Sequence, residues 1–171
     1  GDITQDGRIR AAAVSLQAAR GNIYALAGNR NGLVQATGSS TIAGQLWLTT
    51  PKGEVVVEGE LAASRFDGTG GQIGVNGRTV TLASGARLDA RGAAGGEVLV
   101  GVSAYGEGGD LADRTVVADG ASLLAGGPAG GGRIETSGLK VEIGAASILP
   151  GKGGEWLLDP SDLTIDAATA S

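Results

Sequence analysis

The 171-residue sequence has no histidine, no cysteine and no methionine, and only one phenylalanine. Without histidine there can be no Ser-His-Asp or Cys-His triad, no imidazole base and no His-ligated zinc. Without cysteine there is no disulfide framework and no thiolate nucleophile or metal ligand, although the compartment stays open. Aromatic residues make up 3% of the chain (Tyr24, Trp47, Phe66, Tyr105 and Trp156). That is too few to seed a conventional globular core, so aliphatic and alanine side chains must supply it. Basic residues are outnumbered, 13 Lys and Arg against 18 Asp and Glu, for a net charge of -5. This balance argues against nucleic acid and anionic membrane surfaces as partners. No apolar run approaches the roughly 18 residues that span a bilayer, so no membrane insertion is expected. The opening residues do not form a signal peptide, and the chain is expected to be an internal segment of a larger protein.

Glycine is the residue in excess, at 33 of 171, yet 42% of residues are hydrophobic. The glycines follow no G-X-Y period, which excludes collagen. Abundant Gly with abundant Val, Leu and Ile predicts many short strands joined by tight turns. Residues 11–20 have helical propensity, but Val14, Leu16 and Ala18 alternate between turn signals, which favours a strand. Further strands are predicted at Ile23–Ala27, Leu33–Ala36, Gln45–Leu48, Glu54–Val57 and Glu60–Ala63, each three to five residues long. Pro51-Lys52-Gly53 reads as a turn between two of them.

Two phrases recur. In one, a glycine, any residue and an apolar residue open an alternating strand: Gly71-Gln72-Ile73, Gly96-Glu97-Val98, Gly132-Arg133-Ile134 and Gly154-Glu155-Trp156. In the other, a glycine shortly precedes Leu88, Leu123 or Ile148. Leu61 to Leu88 spans 27 residues, Leu123 to Ile148 spans 25, and Ile73 to Val98 spans 25. The step from Leu88 to Leu123 is 35, which implies about ten inserted residues near 101–116. A strand-only repeat of 20–30 residues marks a parallel β-solenoid, with identical positions stacked about 4.8 Å apart. The fold expected is therefore all-β, a single β-solenoid over residues 1–171 with about seven coils and an insertion at 101–116. A sandwich or propeller would need longer strands and more aromatic residues.

Few constellations suggest chemistry. Asp110, Asp113 and Asp119 lie near the insertion, and Asp159, Asp162 and Asp166 near the end, but no acid cluster recurs on adjacent coils as a glycosidase groove requires. Gly108-Gly109-Asp110 and Asp67-Gly68 are fragments of a calcium-binding pattern, which leaves a structural calcium ion as the only cofactor considered. Ser and Thr are plentiful, but nothing is present to activate them as nucleophiles. Catalysis is not expected. The insertion breaks the repeat and carries an aromatic residue beside mixed charge, so Tyr105, Asp110 and Arg114 are the candidate ligand-binding residues.

Gly21-Asn22-Ile23-Tyr24-Ala25-Leu26-Ala27 followed by Leu33-Val34-Gln35-Ala36-Thr37-Gly38, then Gly131-Gly132-Arg133-Ile134-Glu135-Thr136-Ser137-Gly138 and Trp156-Leu157-Leu158-Asp159-Pro160-Ser161-Asp162-Leu163-Thr164-Ile165, carry a resemblance. They resemble the filamentous-haemagglutinin-like exoproteins of Gram-negative two-partner secretion. The resemblance implies a right-handed parallel β-helix, secreted through a dedicated outer-membrane transporter and displayed at the cell surface. It also implies a role in adhesion, aggregation or biofilm formation, with a host-cell or matrix glycan, a protein or an exopolysaccharide as partner. The Asn-Pro motifs of that family's secretion domain are missing, so the segment resembles the shaft that follows it. A polysaccharide-active β-helix enzyme and a passive spacer are the alternative readings.

Overall fold

The computed structural model describes residues 1–26, 32–38, 43–102 and 110–162. Among these residues every regular element is a strand. The first coil holds β1 (Ile3–Gln5), β2 (Ile9–Ala11) and β3 (Ala13–Gln17). Next come β4 (Ile23–Ala25), β5 (Leu33–Ala36) and the long β6 (Gln45–Val57). They are followed by β7 (Glu60–Ala62), β8 (Arg65–Thr69) and the long β9 (Gln72–Leu82). Then come β10 (Arg87–Asp89), β11 (Gly92–Ala94), β12 (Glu97–Val100) and β13 (Arg114–Val117). The last are β14 (Ser122–Leu124), the long β15 (Arg133–Ile143), β16 (Ser147–Leu149) and β17 (Glu155–Asp162).

Strands pair in parallel with their counterparts one coil away, so the chain is the parallel β-solenoid expected from its spacing. One face stacks β3, residues 45–50, residues 72–77, β12, residues 133–138 and β17. A second stacks β1, β4, residues 54–57, residues 79–82, β13 and residues 140–143. The third is a six-stranded sheet in the order β16-β14-β10-β7-β5-β2. The described residues form six rungs against the expected count of about seven, and the 35-residue step from Leu88 to Leu123 uses chain without adding a rung.

Sequence and structure differ at one kind of corner. The strands expected at 45–48 and 54–57 are two halves of β6, and Pro51-Lys52-Gly53 is a bulge inside it, where the register with β9 shifts. β6, β9 and β15 bend across this corner unbroken, which merges the first two faces into one nine-stranded sheet. A bulge adds residues to one strand and bends it while the ladder resumes on the far side. β8 and β11 form a separate two-stranded sheet at another corner, which the spacing did not reveal.

The core is built from columns. Ile9, Val34, Leu61, Leu88, Leu123 and Ile148 stack on the third face, in the register that their spacing implied. Leu46, Ile73, Val98, Ile134 and Trp156 stack on the first. Leu46, Ile73, Val98 and Ile134 are all fully buried. Each such side chain is worth about 1.5–3 kcal/mol when removed from water. No coil can realise that alone, because the atoms above and below belong to its neighbours.

The glycine phrase has a steric cause. Gly44, Gly71, Gly96, Gly132 and Gly154 lie above one another at the entry to the first face. The N–H after each of the last four donates to the carbonyl of the glycine one coil earlier, at 2.9 Å in every case. A Cβ on Gly71, Gly96, Gly132 or Gly154 would collide with that same carbonyl. The column is glycine because the backbones touch there, and it includes Gly44, which the repeated phrase alone did not pick out.

Candidate functional site

The insertion opens at a defined point. Val100 pairs with Val75 and Thr136, and Arg114 pairs with Thr79 and Lys140. Four positions separate Val75 from Thr79, and Thr136 from Lys140, whereas fourteen separate Val100 from Arg114; the excess is ten. The size matches the expectation, but its end does not. Residues expected in the insertion up to 116 include Arg114, Thr115 and Val116, which belong to β13. They are held in the sheet because their neighbours on both sides continue the ladder. The departure begins at Gly101, whose φ of +77° suits glycine and where a Cβ would meet Ser137 O and Thr115 Oγ1.

The three candidate residues fare differently. Tyr105 lies outside the described residues. Asp110 is exposed, and its carbonyl accepts a 3.3 Å hydrogen bond from Asn76 Nδ2. Arg114 is the first residue of β13, not a loop residue. Its guanidinium closes on Glu142 through two bonds, Nε to Oε1 at 3.1 Å and Nη2 to Oε2 at 2.7 Å. Lys140 Nζ reaches the same carboxylate at 3.0 Å. Hydrogen bonds from Arg114 and Lys140 hold the Glu142 carboxyl down to about 2, so the group stays ionised. Arg114 is thus engaged along the sheet and does not line the cleft described next.

A cleft of about 570 Å³ lies where the first face turns into the second. Thr49 and Pro51 from β6, and Asn76, Gly77 and Arg78 from β9, form one side. Asp110, Leu111 and Asp113 at the base of the insertion, with Leu139 from β15, form the other. The floor is hydrogen-bonded on both sides, since Ala112 and Asp113 lie between β9 and β15. Asp113 N donates to Arg78 O at 2.8 Å, Leu139 N to Ala112 O at 2.7 Å, and Lys140 N to Asp113 O at 3.2 Å. Ala112 is fully buried beneath them.

The cleft is polar and, among the described residues, its charges are unspent. Arg78, Asp110 and Asp113 are exposed and their charged groups form no ion pair there. Asn76 Oδ1 is buried without a hydrogen-bond donor. Leu139 is 48% exposed at the rim. Sequence reasoning singled out Asp110 and Asp113 but missed Thr49, Asn76, Arg78 and Leu139. The period did hold one signal, because Thr49 and Asn76 are register partners 27 residues apart.

Nothing in this arrangement resembles an activated nucleophile. No group of three or more Asp, Glu, His or Cys side chains able to hold a metal occurs among the described residues. Among the same residues, no helix is long and apolar enough to cross a membrane.

No protein-family model and no curated protein matches the chain. Among solved structures, it is similar to the HMW1 secretion domain from Haemophilus influenzae, with a TM-score of 0.60 and 27% sequence identity. The likeness covers 92% of this chain and 48% of that one, so the chain spans about half the length of its neighbour. The resemblance in the sequence implied a shaft segment beyond such a domain, whereas the solved structure that matches is a secretion domain itself.

Proposed function

We propose that the chain is a non-catalytic β-solenoid segment of a secreted exoprotein of the two-partner type, passed outward by an outer-membrane transporter and displayed at the surface of a Gram-negative cell. There it serves as a stiff structural and adhesive element toward a glycan, protein or exopolysaccharide, in adhesion, aggregation or biofilm formation. The observation that carries this reading is the likeness of nearly the whole coil stack to a secretion domain. The physical design supports it. A stack whose every coil is completed by the next can form progressively from one end as chain emerges, without long-range rearrangement.

The test is export of the parent exoprotein from cells that hold or lack its transporter, with residues 1–162 present or deleted. Transporter-dependent appearance outside the cell, lost on deletion, is the expected result. Export that ignores both the transporter and the deletion would overturn the reading. Incubating the purified chain with polysaccharides and measuring reducing ends checks the non-catalytic half, where reproducible turnover is the adverse outcome.

A further inference from the structure

We infer that the corner cleft is a binding subsite for an uncharged saccharide unit. The inference rests on the adhesive part of the function proposed above and names its site and ligand class; it is independent of export. The volume of about 570 Å³ suits a small-ligand site. More decisive is the state of its polar groups. Arg87, Arg91, Arg114 and Arg133 all close on acids nearby. In the cleft, by contrast, the Asp110 and Asp113 carboxylates and the Arg78 guanidinium lie on opposite sides and form no such pair among the described residues. Asn76 Oδ1 adds a buried acceptor with no donor, a group that folded proteins seldom leave unmet.

These groups match the chemistry of a sugar ring. The carboxylates accept from ring hydroxyls, the guanidinium donates to hydroxyl oxygens, and Leu111 and Leu139 offer aliphatic surface to the C–H face. Charge selects among sugars. Among the described residues, two carboxylates against one guanidinium make the lining net negative, which disfavours uronates, sialates and sulfated units. The same guanidinium, and the lack of a third acid among the described residues, disfavour a calcium ion.

The experiment is calorimetric titration of the intact chain with chitotetraose and mannotetraose, with tetragalacturonate as an anionic probe of equal length, and with calcium chloride alone. Saturable binding of an uncharged tetrasaccharide is expected, weakened about tenfold or more in Asp113→Asn, Arg78→Ala and Leu139→Lys. Melting temperatures matching the parent certify that these exposed substitutions leave the fold intact. Preference for tetragalacturonate, or a response to calcium alone, overturns the subsite. Sugar binding indifferent to all three substitutions also overturns it, while leaving adhesion elsewhere on the chain. Absence of any saturable sugar binding overturns the subsite, and leaves export and adhesion toward a protein standing.

Discussion

Asp89 lies on the outer side of the third face, next to the inward Leu88, yet its side chain is only 5% exposed. Burial alone would push its carboxyl up. Hydrogen bonds from the Arg91 side chain and backbone, with the charges of Arg91 and Arg87, outweigh this and hold it below the ordinary 3.8. Arg91 grips it at 2.9 and 2.7 Å, and Arg87 at 3.1 Å. Because the folded-state value is depressed, the clamp stabilises the fold above the unfolded carboxyl's pKa and is lost as pH falls through the folded one. Asp89→Asn should therefore cost about 1–3 kcal/mol in urea denaturation at neutral pH. The gap to the parent should close on acidification below 3.8. A second residue-scale contact is Trp47, whose ring lies over Gly74 on the outer surface, so that a Cβ at Gly74 would strike it. Gly74→Ala should shift Trp47 fluorescence toward that of a more exposed indole, read in a Trp156→Phe background.

At the scale of elements, the columns are where sequence and structure agree most closely. The spacing of Leu61, Leu88, Leu123 and Ile148 was legible because a solenoid turns sequence distance directly into stacking. The path of β6 through Pro51-Lys52-Gly53 was not, since a bulge and a turn share the same residues. Nor was the cleft, whose walls come from β6, β9, β15 and the insertion; an inserted length reveals that a loop exists but not what it lies against. Arg114 shows the same limit, as the break in the period could not say where the ladder resumes. Two substitutions test the columns. Ile134→Asp places an unpaired charge at a fully buried position and should cost several kcal/mol, enough to abolish a cooperative melt. Gly96→Ala adds one methyl group, yet should cost about 2 kcal/mol or more, because the obstacle is the Gly71 carbonyl and not a movable side chain.

For the whole molecule, the described ends of the stack differ from its middle. Among the described residues β17 pairs with β15 alone, and Trp156, Leu157 and Leu158 are 41%, 36% and 38% exposed, although Trp156 and Leu158 continue inward columns. A parallel edge that is free among the described residues and flanked by apolar side chains is a template for another strand. The isolated chain should therefore show concentration-dependent association in sedimentation velocity, and Leu158→Lys should reduce it. Unchanged association in that variant would place the contact elsewhere on the surface.

The ten-residue departure after Gly101 leaves the rungs on either side in register, with Val100 over Val75 and Arg114 over Thr79. The corner thus works as a port, in which foreign sequence can be exchanged while the rod beneath it is conserved. Closing a longer loop there costs only about 0.6 kcal/mol per doubling of length. Over evolutionary time such a corner can change its sequence without renegotiating the fold. In the laboratory it is the place to graft a peptide epitope onto a stiff, repeating support.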